Sequence, residues 1–279
     1  LPYSRLSTVH IYLGASGKKP MQQEFGKAKK YALKAIQLDE RAGESHDALA
    51  NIYVFHDWNW DEAFRSLDRA IELSPSYAGA YITKALLLGI HERYEEAIDT
   101  MEKSIELDPF NAPGLFAYAS ILIFADRQQE CMDQLDKLFK ISPDFGDALL
   151  LKGLVYQLQG DYKKAMDTYM SIQRTPDYEI MLDGYLGGLY KTMNQPAKSE
   201  AILERLLEAE QHTPNTKIPF SIALIYAALV KADEMFHYLN KSVEIKDNNV
   251  IYILGNGYFR EYRSYPRFTL LMKKIGLWK

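Results

Sequence analysis

The sequence predicts an all-α solenoid built from antiparallel helix pairs that repeat every 34 residues, followed by a C-terminal helical segment. Columns of residues at this interval predict it. Prolines that follow a Leu/Ile-Ser/Asp dipeptide recur at Pro75, Pro109 and Pro143, and small and large residues recur in columns between them. A period of about 20 to 50 residues is typical of repeat arrays, so the spacing indicates the fold class.

The small residues mark the points where the two helices of a pair cross. Helices approach closely only where the side chains at the crossing are small. We expect these structural crossing positions to be Ala63, Ala97, Cys131, Ala165 and Ser199 in the second helices and Ala85, Ala119, Gly153 and Gly187 in the first helices. Large residues lie three positions after the first-helix column, at Leu88, Leu122, Tyr156 and Tyr190, where they fill the space beside the crossing.

The columns divide the chain into an array over residues 1–249 and a capping segment over residues 250–279. The repeats are residues 1–42, 43–77, 78–111, 112–145, 146–179, 180–215 and 216–249. Three places depart from the period: an enlarged segment at 14–24, one extra residue in the turn DWNWDEA, and the separating stretch QHTPNTK. Proline lacks an amide hydrogen and so ends the second helix of a repeat.

The capping segment contains one amphipathic helix. Pro266 suits its first turn, and Phe268, Leu271, Met272 and Ile275 form an apolar stripe at helical spacing. A helical array exposes an apolar face at its last repeat, so we expect this helix to cover that face. Residues 250–279 hold six Lys/Arg and one acidic residue, a net charge of +5, in a chain whose net charge is −4. We therefore expect the segment to lie on the acidic body.

Two stretches resemble the tetratricopeptide repeat (TPR) family: AYITKALLLGIHERYEEAIDTMEKSIELDP at 80–109 and LLLKGLVYQLQGDYKKAMDTY at 149–169. The resemblance implies a right-handed superhelix of about seven TPR-like helix pairs. Three further strings, DWNWDEAFRSLDRAIELSPSYAGAY, PFSIALIYAALVKADEMFHYLNKSV and REYRSYPRFTLLMKKIGL, occur in an order that resembles the C-terminal TPR region of bacterial multidomain regulators. In those proteins the array follows a winged-helix, adenylate cyclase or kinase domain. The resemblance implies that this chain is part of a longer polypeptide.

The resemblance also implies a binding face, because the first helices of TPR repeats line the concave side of the array. The matching positions here are Asp47, Asn51, Phe55, Ile82, Leu86, Ile90, Phe116, Ser120, Phe124, Leu150, Leu154, Leu158, Tyr185, Gly188, Thr192, Phe220, Leu224 and Ala228. The cations that hold a terminal carboxylate in chaperone-binding relatives are absent from these positions. Two interpretations remain: the apolar wall binds an apolar or amphipathic peptide, or it is the core of a tightly wound array.

The sequence offers no catalytic or cofactor site. The six histidines have no metal-ligand spacing, and Cys131 lies in the column of small crossing residues, where a buried thiol is inert. GYLGGLY (184–190) does not follow a strand, and Gly255-Asn256-Gly257 is more typical of a turn than of a phosphate loop. We therefore expect neither an enzyme nor a metal or cofactor protein.

The predicted function is a non-catalytic interaction, sensory or scaffold module, the C-terminal part of a bacterial signalling or transcriptional regulator. Its expected partner is another protein, a peptide segment, or an N-terminal domain of the same polypeptide. One alternative is a nucleic-acid-associated regulator, which rests only on the basic tail, because the net charge is too small to imply such a partner by itself. The other is a purely structural array whose inner face is core. No apolar run is long enough to cross a bilayer, and a soluble, cytoplasmic protein is favoured.

Overall fold

The computed structural model describes residues 2–15, 20–175, 178–212 and 215–278, and every regular element in these residues is a helix. The enlarged segment at 14–24 and the stretch QHTPNTK therefore lie partly outside the described residues, as do Leu1 and Lys279. The chain forms two compact units, Leu1–Gln134 and Leu135–Lys279, which are treated separately below as unit 1 and unit 2.

Unit 1 consists of successive antiparallel helix pairs. Its helices are α1 (Pro2–Ala15), α2 (Met21–Leu38), α3 (Gly43–Ile52), α4 (Trp60–Leu73), α5 (Ala78–Ile90), α6 (Tyr94–Leu107), α7 (Ala112–Phe124) and the beginning of α8 (Gln128–Ile141). The two helices pack on each other in the pairs α1–α2, α3–α4 and α5–α6, and the first helices also pack side by side, since α5 contacts both α3 and α7. This side-by-side arrangement places one face of each first helix next to the same face of its neighbour.

Unit 2 continues the same plan and ends in two short 3₁₀ segments and a final helix. Its elements are α9 (Gly146–Leu158), α10 (Tyr162–Ser171), α11 (Glu179–Thr192), α12 (Pro196–His212), α13 (Ile218–Ala228), α14 (Ala232–Glu244), the 3₁₀ segments Asn248–Tyr252 and Gly257–Ser264, and α15 (Pro266–Lys274). Here α11 packs against α9 and α13, and the second 3₁₀ segment packs on α13 and α15.

The turn inside most pairs has one repeated geometry, in which a residue just after the first helix adopts a left-handed conformation. These residues are Glu92, Asp126, Gly160, Asn194 and Val230. The N–H of the next residue then donates to the carbonyl five positions back, as Arg93 does to Leu88 at 3.0 Å. The column of large residues at Leu88, Leu122, Tyr156 and Tyr190 supplies the carbonyls for these bonds. The large residues that recur every 34 positions therefore belong to a repeated helix-ending motif as well as to the packing.

The extra residue in the second turn changes the end of α3. The helix continues into a π-helical turn, Tyr53–Asp57, which widens the coil by one residue before Trp58 turns left-handed with φ 55°. The side chain of Asn59 then caps α4 by accepting from the N–H of Glu62 at 3.4 Å. An inserted residue is thus absorbed locally as a π-bulge, and the helix pair is preserved.

All nine crossing positions are buried. Ala85 and Ala97, on the two helices of one pair, are both fully shielded from solvent. Gly187 differs from the expectation in its neighbour. A Cβ at Gly187 would lie 2.6 Å from Cδ1 of Ile225, on the first helix of the following pair, and its nearest neighbours all belong to that residue. Its small size thus serves the contact of α11 with α13, whereas the sequence predicted a contact with α12.

The end of unit 2 is covered by α15. Its four predicted stripe residues, Phe268, Leu271, Met272 and Ile275, are each at most 1% exposed. Two of its cations reach α14, where Arg267 pairs with Asp233 and Lys274 donates to Asn240 at 2.5 Å. Gly276, with φ 73°, ends the helix. The basic charge of this segment is thus partly directed at the protein's own surface.

Candidate functional site

The metal-binding and thiol candidates of the sequence lie within the described residues. No group of three or more His, Cys, Asp and Glu side chains in the described ranges is placed to hold a metal ion. Cys131 is fully buried, and burial raises the pKa of its thiol to about 12, so the reactive thiolate is not formed at neutral pH. His10 contacts the carboxylate of Glu24 at 2.6 Å, which ties α1 to α2.

The two glycine-rich stretches have structural roles. GYLGGLY lies inside α11, and Gly255-Asn256-Gly257 connects the two 3₁₀ segments. The side chain of Asn256 accepts a hydrogen bond from the N–H of Tyr258 at 3.1 Å and so begins the second 3₁₀ segment. Neither stretch joins a strand to a helix, the setting in which glycine-rich loops cradle phosphates.

The polar candidates in unit 1 are engaged within the protein. Asp47 is 7% exposed, and its carboxylate accepts from the side chains of Asn51 at 3.1 Å and Tyr77 at 3.2 Å. Asn51 also donates to Thr83 of α5 at 3.0 Å. Burial raises the pKa of Asp47 to about 6 despite these hydrogen bonds. The network joins α3 to α5, so these groups serve the contact between neighbouring repeats.

Four of the apolar candidates in unit 1 are half-buried on two neighbouring helices. Ile82 and Leu86 lie one turn apart on α5, and Phe116 and Phe124 lie two turns apart on α7, all half-buried. These four residues are here named the unit 1 stripe. Ser120, between the two phenylalanines, bonds its hydroxyl to the carbonyl of Phe116 at 2.9 Å and is half-buried. A residue spacing of four places these side chains on one side of each helix.

Two other apolar candidates in unit 1 are Phe55, which is half-buried, and Ile90, which is buried. Phe55 belongs to the π-helical turn and packs against the buried cluster that contains Phe25 and Ile52. Ile90 is 2% exposed. Both contribute to packing, and the half-buried apolar candidates of this unit are therefore Phe55 on the π-helical turn and the four residues of the unit 1 stripe on α5 and α7.

The candidates in unit 2 are largely covered. Leu150, Leu154, Phe220 and Leu224 are buried, Tyr185, Gly188 and Ala228 are buried or half-buried, and Leu158 and Thr192 are exposed. The cover comes from the chain itself. The ring of Phe259 meets Phe220 edge to face at 5.7 Å, and the hydroxyl of Tyr262 donates to the carbonyl of Ala227 at 2.9 Å. The second 3₁₀ segment therefore lies over the first helices of this unit.

Tyr258 makes the most detailed of these contacts. Its hydroxyl accepts from the side chain of Gln157 on α9 at 2.6 Å and donates to the carbonyl of Tyr185 on α11 at 3.5 Å. A Cβ at Gly188 would lie 2.3 Å from the same hydroxyl oxygen. The sequence analysis did not predict this contact. Its only local signal is the run of aromatic residues between positions 252 and 265, and the partners lie 73 and 101 residues away in sequence.

Among the helices that the structure describes, none is both long and apolar enough to span a bilayer. Family models described as tetratricopeptide repeat match residues 78–111 and 147–177, which are the third and fifth predicted repeats. A search of curated proteins finds no match.

Solved structures share the fold at low sequence identity. A tetratricopeptide repeat protein from Parabacteroides merdae has a TM-score of 0.62 and 14% identity, with 98% of each chain covered. A chain of the APC/C hetero-tetramer Cut9–Hcn1 has a TM-score of 0.64 and 14% identity. The match covers 97% of this chain and 48% of that chain. PilF from Pseudomonas aeruginosa has a TM-score of 0.52 and 14% identity, with 78% of this chain and 97% of that chain covered.

These likenesses confirm the predicted fold class, an all-α superhelical array of TPR-like helix pairs. At this identity they bear on the fold alone. The family models, in turn, identify the repeat unit in two places. The chain therefore carries tetratricopeptide repeats at residues 78–111 and 147–177 and has the all-helical fold of the proteins built from them.

Proposed function

We propose that this protein is a non-catalytic interaction module whose unit 1 stripe binds an apolar or amphipathic segment of a partner protein. The observation that carries the proposal is that Ile82, Leu86, Phe116 and Phe124, on two adjacent first helices, are half-buried and keep part of their apolar surface accessible to solvent. TPR proteins in general mediate contacts between proteins, and an amphipathic ligand docks by placing its apolar face in such a groove.

The chemistry around the stripe supports an apolar ligand. Asp47 and Asn51, the polar candidates on the neighbouring helix, are engaged with Tyr77 and Thr83. Ser120 bonds its own helix. Recognition by the stripe thus depends on burial of aliphatic and aromatic surface. Each large side chain that becomes fully buried on binding contributes about 1.5–3 kcal/mol at most, because these side chains are already half-buried.

The test uses peptides selected from a displayed library on the wild-type protein. Phe116→Asp combined with Phe124→Asp is expected to weaken these peptides at least tenfold while the helical circular dichroism spectrum stays that of the wild type. The matched control is Phe110→Asp, since Phe110 is 76% exposed and lies in the turn before α7. If the double variant unfolds, the stripe is part of the core. If Phe110→Asp weakens peptide binding as much as the double variant does, the loss of affinity is nonspecific. Either result overturns the proposal.

We further infer that the module serves a multidomain signalling or transcriptional regulator in the cytoplasm, and that the ligand of the stripe is a segment of another protein or of another domain of the same polypeptide. The support is the resemblance of three strings, in their order, to the C-terminal region of such regulators. The sequence of the reading frame upstream of Leu1 tests this inference. An upstream frame that encodes no effector domain contradicts it.

A further inference from the structure

The second 3₁₀ segment is attached to unit 2 by aromatic side chains that enter separate contacts. Tyr258 reaches α9 and α11, Phe259 meets α13 through Phe220, and Tyr262 bonds the end of α13. Its own backbone bonds are local, since the N–H of Phe259 donates to the carbonyl of Asn256 at 3.1 Å. Its attachment to unit 2 therefore comes from side chains, as it does for a helical peptide that lies in a groove.

The contact at α11 is shaped for a phenol. A Cβ at Gly188 would come within 2.3 Å of the Tyr258 hydroxyl oxygen and 2.5 Å of its Cε1 atom. Glycine in a helix interior weakens the helix. At Gly188 the absence of a side chain leaves a slot for the ring of Tyr258. A larger residue at position 188 would force that ring to shift.

The surroundings of this slot contain polar groups that the segment does not use. Among the described residues, the side-chain oxygen of Gln157 and the hydroxyl of Tyr169 are buried without a hydrogen-bond partner. Tyr169 stacks on Tyr185 with ring centroids 6.0 Å apart, and Tyr185 lies 6.3 Å from Tyr258. Most buried polar groups in folded proteins have a hydrogen-bond partner. The face thus has more hydrogen-bonding capacity than its present occupant uses.

We propose that the face of α9, α11 and α13 is a recognition site for a short aromatic turn segment, and that residues 257–262 occupy it as an intramolecular ligand. The class of ligand is a tyrosine followed by phenylalanine in a helical turn, the chemistry of Tyr258 and Phe259. A partner segment of this class binds after the protein's own segment is displaced. The site is separate from the unit 1 stripe, so either proposal stands or fails without the other.

The test measures fluorescence anisotropy of a labelled peptide with the sequence of residues 256–265, NGYFREYRSY. The wild type is expected to bind it weakly, because its site is occupied. Tyr258→Ala empties the slot and is expected to bind the peptide at least about tenfold more tightly, since apparent affinity scales with the fraction of open sites. Adding Gly188→Ala to Tyr258→Ala fills the slot again and is expected to remove the gain.

A folded Tyr258→Ala variant that binds no better than the wild type overturns the proposal. So does binding that survives Gly188→Ala or that a peptide with alanine for both aromatic residues reproduces. If Tyr258→Ala does not fold, hydrogen exchange of the wild type decides. Exchange of the Phe259 amide at least tenfold faster than that of Lys231, after α13, supports a displaceable segment, whereas equal exchange of the two shows a permanent part of the core.

Discussion

Replacing Val230 with glycine is expected to stabilise unit 2. Val230 follows α13 with φ 60°, and its side chain is 75% exposed, so the substitution removes few contacts. The left-handed conformation costs a residue with a Cβ roughly 1–2 kcal/mol, and a β-branched side chain fits it poorly. Glycine adopts it freely but loses about 0.5–1 kcal/mol through the greater entropy of its unfolded chain.

The difference is a net stabilisation of about 0.5–1 kcal/mol. For a domain of this size it corresponds to a rise in Tm of about 1–4 °C. The hydrogen bond from the N–H of Lys231 to the carbonyl of Tyr226, 3.0 Å long, requires the left-handed turn and is retained. Urea unfolding followed by circular dichroism at 222 nm measures the free energy, and scanning calorimetry measures Tm.

The matched control is Asn194→Gly. Asn194 occupies the same turn after α11 with φ 57°, but asparagine tolerates this conformation far better than valine does. We expect a change in the free energy of unfolding below about 0.5 kcal/mol. If Val230→Gly is no more stable than the wild type, or if Asn194→Gly raises the free energy of unfolding as much as Val230→Gly does, backbone strain at Val230 does not lower the stability and the argument is refuted.

Three further outcomes are expected. Asp247 is 2% exposed, and burial raises the pKa of its carboxyl to about 6 from an ordinary 3.8. The folded state therefore holds this proton more tightly than the unfolded state, and stability is lost as the pH rises from about 4 through 6. Asp247→Asn is expected to remove that loss, with a gain on the order of 1–3 kcal/mol at pH 7.5 and little at pH 4 in urea titrations; a gain independent of pH contradicts this. Ala97→Leu is expected to overpack the crossing of α5 and α6 and cost about 1–3 kcal/mol, and an unchanged Tm would show that the crossing is misplaced. Deleting residues 264–279 uncovers the end of unit 2 and is expected to lower Tm and promote association in dilute buffer and in about 0.5 M salt alike, as seen by light scattering; a monomer that melts with the parent contradicts the capping role.

The repeat itself was predictable because its signals are local. Proline has no amide hydrogen with which to continue a helix, and α4 and α6 both end two residues before Pro75 and Pro109. The small residues at Ala85 and Ala97 are twelve positions apart in sequence and face each other across one short turn. Residues that stop a helix or let two helices cross act within one helix pair. They therefore recur with each pair and are visible in a single sequence as a 34-residue spacing.

The sequence by itself thus determined the helix pairs, their period and the residues that let them cross. Only the tertiary structure decided which part of the candidate face is open. Leu154 and Leu86 occupy corresponding positions on first helices, yet Leu154 is buried, at 5% exposed, and Leu86 is only half-buried. In unit 2 the chain returns after about 100 residues and places Tyr258 beside Gln157. Periodicity records contacts within and between adjacent repeats, whereas this return is a single nonlocal event that leaves no repeated pattern in the sequence.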